Sequence, residues 1–285
     1  MDILSRTPPP ADRRIHYGPD PLQFGDLRLP ATRPGQLLPV AVVIHGGWWQ
    51  SAYDLEYMGH MSAALKAAGV ATWSLEYRRV GNAGGAFPGT MQDVAAGFDH
   101  LAVLAKSYPL DLRRVIAVGH SAGGHLAFWL AGRQHIPAAS VLEHPQPVVP
   151  LVSVVGLAGA VDLRLVVDLG GRFRFTSGRP SVVSLMGSLP NEVEDRYRAA
   201  NPGDLLPLNV PQVLLQGSED DQIPPSLPDR WADNARRQGD SAIVTTIPGA
   251  DHFDVVDPES KAWAVVQAAI LRSFLAKGQV TPSPG

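Results

Sequence analysis

Arg114-Val115-Ile116-Ala117-Val118-Gly119-His120-Ser121-Ala122-Gly123-Gly124 is a short apolar run that ends in a G-x-S-x-G sequence. The residues that follow, from Ala122 to about Arg133, have the apolar spacing of a helix. A strand that feeds a helix through a serine flanked by glycines puts that serine in a tight, strained turn, with its hydroxyl raised above the sheet. Gly119 and Gly123 leave room for neighbouring chain to pack against the turn. The setting carries more weight than the pattern, because G-x-S-x-G by itself arises by chance in a glycine-rich chain.

On the N-terminal side, Val40-Ala41-Val42-Val43-Ile44 is the clearest strand. Residues 54–68 then have helical spacing and stop at Gly69, 70–77 read as a second strand, and 92–106 as an Ala-rich helix. On the C-terminal side, 151–157, 212–216 and 242–247 read as strands, with helices near 226–238 and 258–276. Short Val/Ile/Leu runs alternating with Ala-rich helical stretches predict an α/β fold: a mostly parallel twisted sheet with helices on both faces. Between about Leu157 and Val210 the periodicity weakens and glycines accumulate, as in Gly170-Gly171-Arg172-Phe173-Arg174-Phe175. A long excursion of this kind in a compact domain is expected to be a lid insertion, over 160–208. Residues 279–285 are expected to be a disordered tail, and 1–285 a single domain.

The chain of 285 residues is 45% hydrophobic and 18% charged, as in an ordinary globular protein with a substantial core. Its 24 Lys and Arg against 27 Asp and Glu leave no basic field for a nucleic-acid backbone. With no cysteine, disulfides, thiol nucleophiles and thiolate metal sites are excluded together. The N-terminus has no apolar run like a secretory signal core, and the 17-residue uncharged stretch between His144 and Asp162 is too short and too broken by Pro and Gly to cross a bilayer. A cytoplasmic chain with no membrane partner is the expectation. His120 and His125 do not share a helical face well enough for a metal pair, and no third ligand presents itself. No phosphate-cradling motif or other cofactor box is visible, so no cofactor is expected.

A serine hydroxyl is a poor nucleophile near neutral pH, so Ser121 needs a base, a group to orient that base, and donors for the developing oxyanion. Two loops that follow predicted strands supply candidates. Gln216-Gly217-Ser218-Glu219-Asp220-Asp221-Gln222-Ile223-Pro224 offers Asp220, with Asp221 as its rival, at the end of a strand where ligand-facing loops collect. Pro248-Gly249-Ala250-Asp251-His252-Phe253 offers His252. In these roles His252 takes the proton from Ser121 and returns it to the leaving group, while the acid fixes the imidazole tautomer. His45-Gly46-Gly47-Trp48-Trp49 follows the strongest strand, and its glycines permit close backbone approach. The amides of Gly47 and Trp48, together with that of Ala122, are the candidate oxyanion donors. Trp48, Trp49, His120, Phe87 and Phe253 are the candidate substrate-binding residues, with Phe173 a further aromatic from the insertion. Arg78 is expected to anchor the loop 81–88 by ion pairing.

With His45-Gly46-Gly47, Gly119-His120-Ser121-Ala122-Gly123-Gly124, Gly217 with Asp220 and Pro224, and Gly249 with His252, the chain resembles the α/β-hydrolase superfamily over roughly residues 37–275. Within it, the chain is similar to the H-G-G group, which includes hormone-sensitive-lipase-like esterases and arylformamidases. The resemblance implies the chain order serine, acid, histidine, and its G-x-x-D-x-x-[IV]-P register selects Asp220 over Asp221. Many lipase-like members have a third glycine where this chain has Trp48, which implies a narrower pocket. The main reading is a serine carboxylic-ester hydrolase acting through an acyl-enzyme, on small or medium acyl esters because the expected lid is modest and lacks a long apolar surface for lipid. Cleavage of an N-formyl amide by the same triad is the alternative, a peptidase is third, and an idle hydrolase fold used for binding is a reading from a different class. The expected partner is thus a small-molecule ester or amide, with a homodimer left open.

Overall fold

Val40, Val42 and Ile44 point into one core cluster while Ala41 and Val43 point into another. Successive side chains of a strand face opposite ways, so a run of apolar residues with no polar face must be covered on both sides. The same division recurs in the next parallel strand, with Val115 and Ala117 in the first cluster and Ile116 and Val118 in the second. A computed structural model describes residues 2–143, 149–169 and 177–275 of the chain.

In chain order the elements are β1 (Arg13–His16), β2 (Phe24–Arg28), β3 (Leu38–Ile44), α1 (Met58–Ala67), β4 (Ala71–Leu75), α2 (Gly89–Asp99), α3 (Leu101–Leu104), β5 (Leu110–His120) and α4 (Ala122–Gly132). There follow β6 (Ser153–Leu157), α5 (Leu163–Leu169), α6 (Gly178–Met186), α7 (Glu194–Ala200), β7 (Gln212–Gly217), α8 (Ser226–Arg237), β8 (Ala242–Ile247) and α9 (Trp263–Ser273). The eight strands form one sheet in the order β1-β2-β4-β3-β5-β6-β7-β8. β3 to β8 are parallel, and β1 and β2 add an antiparallel edge. Residues of α2, α3, α4 and α8 fill the cluster on one face, and residues of α1 and α9 the cluster on the other. This is the α/β-hydrolase fold, with every residue of the central helix α4 buried.

Differences from the sequence reading have local causes. β1 and β2 are absent from it because Arg13, Arg14, His16, Asp26 and Arg28 break any apolar alternation. In place of apolar contacts, Arg14 clasps Asp26 through two hydrogen bonds of 2.8 and 3.0 Å, and Arg28 donates to the Pro9 carbonyl at 2.9 Å. The helix expected over 54–68 starts only at Met58, since the amides of Leu55 and Glu56 go to the side chains of Glu76 and Asp54. The helix expected over 92–106 starts earlier, at Gly89, and divides at His100, where the Trp73 indole takes the Gly97 carbonyl at 2.8 Å. The helix expected from 258 is shorter, Trp263–Ser273, because Asp257 and Ser260 hold the preceding residues in turns.

The described part of 160–208 consists of α5, α6, α7 and a short 3-10 turn, Pro202–Leu205. Val166, Val182, Leu185, Met186 and Tyr197 sink from it into the larger core cluster, so this segment packs as part of the body of the molecule. The Gly170 to Phe175 stretch, with Phe173, and the tail 279–285 lie outside the described residues. No helix among the described residues is long and apolar enough to cross a membrane.

Candidate active site

β5 runs into α4 through Ser121, whose φ of 54° and ψ of −121° are a conformation that residues with a side chain rarely adopt. The turn is held by the Ser121 amide donating to the Leu157 carbonyl and by the amides of Gly124 and Ala160 donating to the Ser121 carbonyl, each at 2.9 Å. It closes because two flanking residues lack a Cβ. A methyl on Gly119 would stand 2.0 Å from the Gly123 carbonyl oxygen, and one on Gly123 would stand 2.2 Å from that of Ile44. Ser121 itself is only 2% exposed.

Asp220 follows β7 and is fully buried. Its Oδ1 accepts the amides of Gln222 and Ile223, both at 2.8 Å. Its Oδ2 accepts Gln216 Nε2 and His252 Nδ1, also both at 2.8 Å. Burial alone would raise the carboxyl, but the hydrogen bond and charge of His252, with the Ile223 and Gln222 amides, hold it below the usual carboxylate range. Asp221 is exposed, so the structure separates the two rival acids. A carboxylate can only accept, so His252 carries a proton on Nδ1 and donates it to Asp220. Ser121 and His252 line one small cavity of about 20 Å³, together with Gly47, Trp48, Tyr53, Tyr57, His120, Gln222 and Phe253.

The loop after β3 forms one wall of that cavity. Gly47, Trp48 and Trp49 all have positive φ, of 101°, 52° and 56°. Its ends are tied by the Gln50 amide to the Gly47 carbonyl and by the Val80 amide to the Trp49 carbonyl, both at 2.9 Å. Beneath it lies a buried polar cluster in which His45 stacks on Tyr77 at 4.3 Å and Glu76 bonds Arg79. Burial works to raise the Glu76 carboxyl, but His45 and Arg79 outweigh it and keep the group below its ordinary range. The Gly46 amide donates to Tyr57 Oη at 2.7 Å. Among the described residues, the amides of Gly47, Trp48 and Ala122 have no hydrogen-bond partner.

The candidate pocket residues divide. Trp48 and Phe253 line the cavity, and a methyl on Gly178 would stand 3.5 Å from the Trp48 ring, so the start of α6 backs that wall. Trp49 has to be moved out of the pocket: its ring is fully buried in the core, edge-on to His125 at 5.4 Å, because the loop turns it inward. Phe87 also has to be moved, since it borders a separate hollow with Pro137, Val141, Asp195, Arg196 and Arg198. His120 lies at the cavity, yet both ring nitrogens are engaged internally, with Tyr57 Oη at 2.8 Å and the His252 carbonyl at 2.9 Å. Arg78 pairs with Asp93 at 2.7 Å on α2, outside the 81–88 loop, and its guanidinium lies beside Gly84.

Tyr57, Gln216, Gln222 and Tyr53 were not foreseen. Among the described residues, no group of three His, Asp or Glu side chains stands close enough to hold a metal ion.

Known proteins resemble this arrangement over most of the chain. It is 24% identical over 244 residues to a probable isoprenylcysteine alpha-carbonyl methylesterase of Oryza sativa subsp. japonica, covering 85% of this chain and 58% of the relative. It is 27% identical over 257 residues to esterase LipC of Mycobacterium tuberculosis, covering 86% and 60%. The chain thus spans less than two thirds of the length of these relatives. The crystal structure of esterase B from Lactobacillus rhamnosis superposes with a TM-score of 0.77 at 21% identity, over 92% of this chain and 84% of that one. Residues 26–230 match the BD-FAE family model, and the chain belongs to that family, on an α/β-hydrolase fold.

Proposed function

We propose that this chain is a carboxylic-ester hydrolase with Ser121 as nucleophile, His252 as general base and acid, and Asp220 as the group that orients His252. The observation that carries this reading is the 2.8 Å bond from His252 Nδ1 to Asp220 Oδ2, in a cavity that His252 shares with a serine held at positive φ. The esterase names of the relatives support it.

Ser121 Oγ attacks the ester carbonyl carbon while His252 Nε2 takes the hydroxyl proton, and the carbonyl oxygen becomes an oxyanion. The amides of Gly47, Trp48 and Ala122 are the donors proposed to receive it, each worth roughly 3 kcal/mol of barrier. Collapse breaks the bond to the alcohol oxygen, which takes the proton from His252, and leaves Ser121 acylated. Water then attacks the acyl carbon, giving its proton to His252, and the acid leaves as Ser121 recovers that proton. The ionised Asp220 stabilises the imidazolium in both halves.

The Trp48 ring, which walls the cavity that Ser121 and His252 line, supports a preference for small acyl groups. Turnover of acetyl, butyryl and octanoyl p-nitrophenyl esters beside N-formylkynurenine tests this. Acetyl ester turnover well above that of octanoyl ester and formyl amide is the expected result. Preference for the formyl amide would replace the reading with an arylformamidase, and silence on all four would leave a binding protein.

A further inference from the structure

The imidazole of His120, on the residue just before Ser121, is 1% exposed and bonded at both nitrogens to protein. The His252 carbonyl can only accept, so the proton of His120 sits on Nε2 and is donated to that carbonyl at 2.9 Å. Nδ1 is then a bare acceptor, and Tyr57 Oη donates to it at 2.8 Å. The Tyr57 oxygen in turn accepts the Gly46 amide at 2.7 Å. One directed chain therefore runs Gly46 N–H to Tyr57 O–H to His120 to the backbone of His252. It joins the loop that carries the Gly47 and Trp48 amides to the residue that carries the proposed base.

Each link has one polarity only. Burial, and then the neighbouring His252 ring, push His120 down to about 3, so it stays neutral at neutral pH. Burial likewise pushes the Tyr57 hydroxyl up, so it keeps the proton it donates. The His120 and His252 rings lie 4.7 Å apart, and the Tyr57 and Phe253 rings 6.0 Å apart, so the chain is packed on its flanks as well. A surface tether would not be buried throughout, and a substrate contact would leave a nitrogen of His120 free.

We infer that His120 and Tyr57 are positioning residues that hold the His252 backbone and the 45–48 loop in fixed relation, so that base and oxyanion donors meet the same carbonyl group. This rests on the ester-hydrolase reading above. Misplacement of reacting groups by a fraction of an ångström raises the barrier without weakening binding of the ground state.

The test measures kcat and KM for p-nitrophenyl acetate, and the rate of Ser121 labelling by a fluorophosphonate, in Tyr57→Phe, His120→Leu and His120→Gln. Glutamine retains one donor and one acceptor, whereas leucine has neither. Tyr57→Phe and His120→Leu are expected to lower kcat about 10- to 100-fold, as for a lost buried hydrogen bond, with KM within about twofold and labelling slowed in parallel. His120→Gln is expected to recover most of the loss. If Tyr57→Phe stays within about twofold of the parent, or glutamine is no better than leucine, the inference is overturned. Should His120→Leu fail to fold, the Tyr57→Phe and His120→Gln pair decides. A parent chain that neither turns over the ester nor labels at Ser121 would instead bring down the ester-hydrolase reading, and this inference with it.

Discussion

The Asp220 carboxylate holds the His252 imidazole at 2.8 Å with one oxygen and takes two backbone amides with the other. Its neighbour Asp221 is exposed. Asp220→Asn is therefore expected to lower kcat by about 10³- to 10⁴-fold, since an amide can turn its NH₂ to His252 and favour the wrong tautomer. Asp221→Asn should stay within about twofold. Equal losses in steady-state kinetics would mean that the acid has been misassigned.

Trp48 and Trp49 are adjacent yet do different things. Trp48→Ala removes a wall of the cavity and is expected to raise the ratio of butyryl to acetyl ester turnover about tenfold, the scale set by a methylene or two in an apolar pocket. Trp49→Ala empties a fully buried core site and should cost about 3–5 kcal/mol in chemical denaturation. An unchanged acyl ratio in the first, or unchanged stability in the second, would reverse these roles.

Gly119 and Gly123 leave no space for a side chain, with backbone oxygens 2.0 and 2.2 Å from where a Cβ would stand. Either change to alanine is expected to destabilise the fold by more than about 3 kcal/mol, because the obstructing atoms are backbone and cannot move aside. A variant that melts with the parent would contradict the described elbow.

Burial holds His120 at about 3 and His125 at about 4, against an ordinary value of 6.5. In the unfolded chain both take a proton near 6.5, so between that value and their folded values the unfolded state binds more protons. Their contribution to stability is complete above about pH 6.5 and falls as pH drops toward 4 and 3, by at most about 1.4 kcal/mol per pH unit for each. Melting midpoints between about pH 7 and 4.5 should decline, and decline less in His120→Gln. A slope unaltered by that substitution would show that His120 contributes nothing to it.

How much of this was legible from the residues follows from where the signal lies. β3 and the end of β5 are covered on both faces, so their composition announces them, and the Ser121 turn is marked by glycines that nothing else explains. β1 is an edge strand and β2 lies beside it, and the two are joined by ion pairs such as Arg14 with Asp26, which leave no apolar period. Ser121, Asp220 and His252 stand in motifs, and the structure brings them to one region of the sheet. Tyr57 sits in no motif and acts through a contact 63 positions away, so only the folded chain reveals it. Trp49 and Phe87 were misplaced for the opposite reason: an aromatic near a motif reads the same whether it faces core or cavity.

The most direct test of the central claim is fluorophosphonate labelling followed by peptide mass mapping, with p-nitrophenyl acetate turnover of the parent and of Ser121→Ala measured beside it. The account predicts one adduct, on Ser121, and a loss of about 10⁴-fold or more in the variant, with its melting curve unchanged. An adduct on another residue, or a Ser121→Ala variant that keeps the parent's turnover, would contradict it.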